Sequence, residues 1–119
     1  MQSGRFFFPK SARLLKSAEY RKIYKEGNRF VGPLFAAFYH RAESGSPARV
    51  GFTTPRSIGK SVARNRIRRR LREAVRAELP SVALGWNVVF NPRRAVLDAE
   101  FGAIRAEVAR FFSVLKRKS

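Results

Sequence analysis

The chain has 119 residues, no cysteine and one histidine, and its 26 lysines and arginines against eight acids give a formal net charge of +18 at pH 7. The missing cysteines exclude disulfides and thiolate metal sites, and a lone histidine excludes a histidine-based zinc site. The acids are one aspartate and seven scattered glutamates, whereas a two-metal nuclease needs a carboxylate cluster, so this chain is not expected to cut nucleic acid by itself.

The first predicted element is a short helix over residues 17–26, with Ser17 as its N-cap and Gly27 as its C-terminal stop. Tyr20, Ile23 and Tyr24 are spaced so that they share one face. Either all three belong to the core, or one or both tyrosines border a groove in which a base or sugar can stack.

Three apolar runs predict strands. Residues 30–41 are interpreted as a strand interrupted early by Gly32 and Pro33, and residues 49–54 as a second strand. The turn-forming residues 43–47 between them favour an antiparallel hairpin. A third strand is expected over residues 86–90, closed by Asn91 and Pro92.

Two amphipathic helices complete the pattern. The central one runs from Ser61 to before Pro80 and contains six arginines between positions 64 and 72. At 100° per residue one arc of this helix is apolar, and arginines cover the rest of the circumference. The residues of the arc are Ala63, Ile67, Leu71, Ala74 and Val75. A solvated basic face usually carries interleaved glutamates, but here only Glu73 and Glu78 interleave, so nucleic acid is the favoured partner. The last helix spans about residues 98–116 and is expected to pack on the sheet.

The length predicts a single domain over residues 1–119, with a basic flexible tail over about 1–12 and the folded part over 13–116. No stretch approaches the roughly 18 apolar residues of a membrane span, and the start lacks a signal-peptide core. We therefore expect a cytoplasmic protein with no membrane partner.

Two segments carry a family resemblance. Residues 50–73 contain Arg64-Asn65-Arg66 followed by a basic pair, an apolar residue, arginine and glutamate, and residues 13–27 hold the short helix and its glycine. This combination closely resembles the bacterial ribonuclease P protein subunit, and the similarity extends over residues 13–112.

The resemblance implies an α+β fold, a two-layer α/β sandwich with a mainly antiparallel central sheet and a left-handed βαβ crossover. It also implies a function: the family assists a catalytic RNA that removes the 5′ leader of precursor tRNA by metal-dependent hydrolysis. The expected partners are this RNA and the precursor tRNA, with no obligate protein partner. Mg²⁺ is required by the RNA-catalysed reaction, and no cofactor is expected on the protein itself.

The resemblance further implies two binding surfaces and no catalytic or metal-ligating side chain. The predicted catalytic-RNA-binding residues are Arg64, Asn65, Arg66, Arg68, Arg69 and Arg72. The predicted leader-binding cleft comprises Tyr20, Tyr24, Phe38, Arg56 and Lys60. Asn65 has a second interpretation, in which its amide fixes the loop before the helix.

Two positions depart from the family pattern. Pro55 stands where a small residue is usual, so the second strand should end or fray there, and Ser57 replaces a second cation after Arg56. Other functions remain open at this point: a ribosomal type of RNA binder, an independent nuclease, or a DNA-binding protein. The crowded arginines also predict that sulfate or phosphate stabilises the fold more than chloride does.

Overall fold

The structure is a computed structural model that describes residues 16–42, 48–78 and 85–118. The predicted tail over residues 1–12 and the turn over residues 43–47 lie outside these ranges. The helices are α1 (Ser17–Glu26), α2 (Ser61–Glu78) and α3 (Phe101–Lys118), and short 3₁₀ helices cover Arg56–Ile58 and Arg94–Leu97. The strands are β1 (Asn28–Val31), β2 (Phe35–Arg41), β3 (Arg49–Phe52) and β4 (Trp86–Pro92).

The four strands form one sheet in the order β1-β2-β4-β3. β2 pairs antiparallel with both β1 and β4, whereas β3 pairs parallel with β4. The chain passes from β3 through α2 to β4, which is the βαβ unit that the resemblance implied. The α+β class and the mainly antiparallel sheet are therefore confirmed.

The strand connections differ from the sequence-based expectation. The segment interpreted as one interrupted strand is a hairpin, because the chain reverses at residues 32–34 and Val31 then pairs with Ala36. The antiparallel hairpin expected between the first and second apolar runs, residues 30–41 and 49–54, is wrong. Both neighbours of β2 are already β1 and β4, so β3 adds to the sheet on the far side of β4.

One face of the sheet carries the main core. Alternate side chains of β2, namely Phe35, Ala37 and Tyr39, are buried there against helices α2 and α3. Phe111 lies at the centre, with its ring 5.5 Å from that of Phe90. The helix residues buried in this cluster are Ile67, Leu71, Ala74, Val75, Ile104, Val108, Phe111, Phe112 and Leu115. The apolar arc predicted for α2 is confirmed, except that Ala63 at its start is only partly buried.

Helix α1 lies on the opposite face of the sheet. The side chain of Phe38 alternates away from the main core, and its ring contacts that of Tyr24 on α1. Ile23 is buried on the sheet-facing side of α1, and Val89 is buried on β4. This helix divides the open face of the sheet into two flanks.

The ends of α1 are set by its neighbours. The N-cap is Lys16, one residue earlier than expected, because its backbone N–H donates to Glu19 Oε1 at 2.7 Å. Gly27 stops the helix as predicted, but with an extended backbone. A β-carbon on Gly27 would lie 2.6 Å from the carbonyl oxygens of both Ile23 and Tyr39, so only glycine lets the helix turn into β1 at this distance.

The other element boundaries follow the sequence closely. β3 ends at Phe52, three residues before Pro55, and α3 begins at Phe101 after the 3₁₀ turn Arg94–Leu97. No helix in the described part of the chain is long and apolar enough to cross a membrane. Within residues 16–42, 48–78 and 85–118, no three His, Asp or Glu side chains are grouped so that they could hold a metal ion.

Candidate nucleic-acid interface

Helix α2 carries a basic surface that is fixed in place by its own apolar stripe. Ile67 and Leu71 are fully buried on the stripe, which determines which way the rest of the helix faces. Arg66 and Arg69 are exposed on the remaining circumference, and Arg64 is half-buried at its edge. The arrangement holds several guanidinium groups toward solvent, and guanidinium groups bind phosphate oxygens with two parallel hydrogen bonds.

The start of this surface is tied to the loop before the helix. Arg64 Nε donates to the carbonyl oxygen of Gly59 at 3.1 Å. The guanidinium of Arg68 donates to the hydroxyl of Thr54 and to Oδ1 of Asn65. Asn65 lies inside α2 and accepts from Arg68, which also donates to Thr54 in the loop, so both interpretations of Asn65 stay predictions. Arg64 and Arg68 both join the helix to the loop before it.

Two further arginines of α2 lie against neighbouring elements. The guanidinium carbon of Arg72 is 5.5 Å from the centre of the Phe52 ring, which is stacked on Phe90. Arg70 Nη1 donates to the carbonyl oxygens of Val96 and Leu97 at 2.7 and 3.1 Å. Arg70 therefore holds α2 to the 3₁₀ turn before α3, and it was not among the predicted RNA-binding residues.

Lys60 lies at the start of α2. It lines a groove together with Arg66 and Arg94, and the guanidinium of Arg94 donates to the carbonyl oxygen of Ile58 at 2.7 Å. Gly59 has a φ of 155°, a backbone conformation that side chains rarely adopt, and this lets the chain turn into α2. Lys60 was predicted for the leader cleft, but the structure brings it beside Arg66.

The predicted aromatic cleft lies along one flank of α1. The rings of Tyr24 and Phe38 meet edge to face with their centres 4.8 Å apart. The Tyr24 hydroxyl donates to Oδ1 of Asn91 on β4 at 3.2 Å. Tyr20 lies one helical turn before Tyr24 and is half-buried. Tyr24 and Phe38 therefore pack against each other where α1 meets the sheet, with Tyr20 one turn away, and the leader-binding cleft stays a prediction.

Tyr20 remains protonated at neutral pH. Burial raises the pKa of Tyr20 above its ordinary value, and the neighbouring Tyr24 raises it further because two phenolates would repel each other. A protonated phenol can donate a hydrogen bond to a phosphate or ribose oxygen.

Three placements bear on the extent of the cleft. Arg56 is exposed in the 3₁₀ turn after β3. Asn91 and Thr53 were missed by the sequence reasoning. Asn91 pairs with Ala36 on the open face, and Thr53 Oγ1 is buried without a hydrogen-bond partner among the described residues. Strand alternation would have indicated both once the pairing of β3 with β4 was known.

The opposite flank of α1 is polar. Arg49 on β3 donates to Glu19 through Nη1 at 2.6 Å and through Nη2 at 3.1 Å. His40 Nε2 lies 3.7 Å from Oε1 of Glu26 at the end of the helix. These contacts hold the polar flank of α1 on the sheet. Because the helix is rigid, they also fix the position of the flank that carries Tyr20 and Tyr24.

The fold and this surface define a class of small, basic α+β proteins with one arginine-covered helix and an aromatic contact between a short helix and the sheet. Residues 8–116 match the protein-family model described as Ribonuclease P. The ribonuclease P protein component of Symbiobacterium thermophilum is 37% identical over 103 residues, which cover 87% of this chain and 90% of that protein. The component from Chloroflexus aggregans is 36% identical, with 82% of this chain and 73% of that protein covered. The chain belongs to the ribonuclease P protein family, whose place is in tRNA processing.

Solved structures share the fold. The ribonuclease P protein from Thermotoga maritima matches with a TM-score of 0.73 at 25% identity, over 88% of this chain and 96% of that one. The Staphylococcus aureus protein matches with a TM-score of 0.74 at 23% identity, over 88% and 95% of the two chains. The order of helices and strands described above is thus the fold of this family.

Proposed function

We propose that the chain is the protein subunit of ribonuclease P, that α2 binds its catalytic RNA, and that the cleft beside α1 binds the 5′ leader of precursor tRNA. The observation that carries the proposal is the arginine surface of α2, which the buried Ile67 and Leu71 keep facing outward. Membership of the family supports it independently.

The RNA-binding role follows from the chemistry of the α2 surface. Arg64, Arg66 and Arg69 pair with phosphate oxygens, and these contacts position the RNA without reading its sequence. Arg68 and Arg72 extend the surface toward β3, because they contact Thr54 and Phe52. Asn65 supplies an amide that can donate and accept. Binding through phosphates releases counterions, so affinity should fall steeply with salt.

The leader-binding role follows from the geometry of the cleft. Stacking on Tyr20, Tyr24 or Phe38 tolerates any base, which a protein that serves many leaders requires, and is worth about 1 to 3 kcal/mol per base. The tyrosine hydroxyls reach ribose or phosphate oxygens. Arg56 and Lys60 neutralise phosphates where the leader leaves the cleft, and Lys60 lines a groove with Arg66 of the α2 surface.

The charges of the protein and of the two RNAs indicate what each contributes to the reaction. The catalytic RNA and the precursor tRNA are both polyanions, and a protein of net charge +18 between them lowers their mutual repulsion. The RNA-catalysed reaction supplies the endonuclease chemistry and requires Mg²⁺, whereas the protein positions the substrate. In this account the protein carries no cofactor, needs no other protein, and acts in the cytoplasm.

Leader-dependent binding tests this proposal against a general RNA binder of the ribosomal type. The assembled protein and ribonuclease P RNA should bind precursor tRNA more tightly than leaderless mature tRNA. Tyr24→Ala and Phe38→Ala should each reduce that preference about 5- to 100-fold, the equivalent of one lost stack. Tyr24→Phe keeps the ring and should lose only a few fold. Equal affinity of the parent complex for both tRNAs contradicts the proposal.

A further inference from the structure

A groove between α2 and the start of α3 shares Arg69 and Arg72 with the RNA-binding surface of α2 and extends beyond that surface to Phe101. It has a volume of about 540 Å³, which lies within the roughly 300 to 1,000 Å³ typical of small-ligand clefts. One wall is the second half of α2, and the other is the first residue of α3. The lining residues are Arg69, Arg70, Arg72, Glu73, Arg76 and Phe101.

Phe101 is unusual among the aromatic side chains of the described residues. It is 39% exposed, and of the other rings only that of Tyr24, at 40%, is comparably open. Tyr24 contacts Phe38 and Asn91, whereas Phe101 lies outside the main core cluster and makes no ring contact within the described ranges. A phenylalanine ring is therefore held open to solvent at the edge of an arginine-lined groove.

The charge of the groove favours an anion. It contains four arginines and one carboxylate, and Glu73 is offset by Arg76, whose Nη2 lies 3.5 Å from Glu73 Oε1. Arg69 is exposed. The groove is also rigid, because Arg70 binds the carbonyl oxygens of Val96 and Leu97 and so holds α2 beside the segment that leads into α3.

An aromatic face beside several guanidinium groups matches the chemistry of a nucleotide. The base can stack on the ring, and the flanking phosphates can pair with the arginines. An apolar peptide fits poorly, because it would remove arginines from water without giving them partners. An acidic peptide would satisfy the arginines but would leave the ring without a flat partner.

We propose that this groove binds one unpaired nucleotide of the ribonuclease P RNA, with its base stacked on Phe101 and a flanking phosphate on Arg69. The inference rests on the proposed function and extends it from α2 to the first residue of α3. It predicts that the RNA presents a base turned out of its helices to this groove, about two helical turns beyond Arg64 along α2.

The test compares four variants in binding to ribonuclease P RNA over a range of salt concentrations. Phe101→Ala should raise the dissociation constant about 5- to 100-fold and leave its salt dependence unchanged, because stacking involves no counterion. Arg69→Ala should also weaken binding and should reduce the salt slope by about one. Phe101→Leu, which keeps an apolar side chain without the flat ring, should weaken binding nearly as much as alanine. Val31→Ala, another exposed apolar residue, should stay within about twofold of the parent.

A crosslink identifies the nucleotide. The photoreactive p-benzoylphenylalanine at position 101 should link to one unpaired nucleotide, and removing that base from the RNA should abolish the effect of Phe101→Ala. If Phe101→Ala stays within about twofold of the parent while Arg69→Ala weakens binding, the inference is overturned and the proposed function stands. If Arg64→Ala, Arg66→Ala and Arg69→Ala all leave binding within about twofold of the parent, the proposed function itself fails. Circular dichroism on every variant excludes loss of the fold.

Discussion

Glu19 on α1 and Arg49 on β3 form a two-point ion pair, with Nη1–Oε2 and Nη2–Oε1 distances of 2.6 and 3.1 Å. The same carboxylate accepts the backbone N–H of Lys16 and caps the helix. Tyr24 and Asn91 are joined by a hydrogen bond on the other flank of α1. Contacts on both flanks of α1 thus hold the helix in one position on the sheet.

Replacing Arg49 should loosen this anchor. Each side chain of the pair is 28% exposed, so solvent screens the interaction, and we expect Arg49→Met to lower the free energy of unfolding by about 1 kcal/mol. Arg49→Lys keeps the charge but allows one contact instead of two, so it should fall between Met and the parent. Urea denaturation measures the stability, and leader affinity should fall in the same order. If the affinity for the leader is unchanged in Arg49→Met, the Glu19–Arg49 ion pair does not control leader binding.

Two glycines should respond oppositely to alanine. A β-carbon on Gly27 would lie 2.6 Å from two backbone oxygens, neither of which can move aside alone, so Gly27→Ala should cost about 2 kcal/mol or more. A β-carbon on Gly102 meets nothing within 4 Å, and Gly102 lies in α3. Gly102→Ala should therefore stabilise the protein by about 0.5 to 1 kcal/mol. The melting temperatures of the two variants, compared with that of the parent, test both predictions. A lower melting temperature for Gly102→Ala would contradict this geometry.

Glu107 holds the turn between β1 and β2 against α3. Its side chain is 6% exposed, and Oε2 accepts the backbone N–H groups of Leu34 and Phe35 at 3.0 and 3.1 Å. Glu107→Ala leaves both donors unpaired and should cost about 2 to 4 kcal/mol in the free energy of unfolding. Glu107→Gln keeps an acceptor and should cost about 1 kcal/mol.

The matched control for Glu107 is Glu100→Gln, which neutralises an exposed carboxylate at the start of the same helix and should change stability by less than about 0.5 kcal/mol. Urea denaturation distinguishes the three variants. A small effect of Glu107→Ala, equal to that of Glu100→Gln, would show that the turn does not depend on these two hydrogen bonds.

Local pattern predicted the helices well. The bounds of α1 and α2 follow from the spacing of their apolar residues, since Ile67, Leu71 and Val75 recur at the helical period and are buried as expected. Gly27 also acts at the expected place, although its physical role is a close approach of backbone atoms and not a left-handed conformation.

The strand pairing could not be predicted in the same way. Whether β3 joins β2 or β4 depends on which edge of the sheet is open, and that is decided by the separate pairing of β1 with β2. No feature of residues 49–54 indicates whether this strand pairs with β2 or with β4. The prediction of the cleft was incomplete for the same reason. Tyr24 and Phe38 were predicted but Asn91 was not, because Asn91 reaches Tyr24 only through the position of β4 between β2 and β3.

The arginines crowded on α2 should make the fold sensitive to anions. Arg64, Arg66 and Arg69 repel one another, and an anion that binds only the folded state stabilises it by mass action. Sulfate or phosphate should therefore raise the melting temperature more than chloride at equal ionic strength. Arg66→Ala combined with Arg69→Ala should reduce the difference between the salts. The same melting temperature in all three salts would contradict the prediction.

Cleavage of precursor tRNA at low Mg²⁺ tests the central claim most directly, with ribonuclease P RNA alone, the protein alone, and both together. We predict cleavage by the mixture only, and its loss or sharp reduction when Arg64, Arg66 and Arg68 are replaced by alanine. A variant with Arg105, Arg110 and Arg117 of α3 replaced removes the same charge and should keep most of the activity. Cleavage by the protein alone, or equal activity of the two triple variants, would contradict the account.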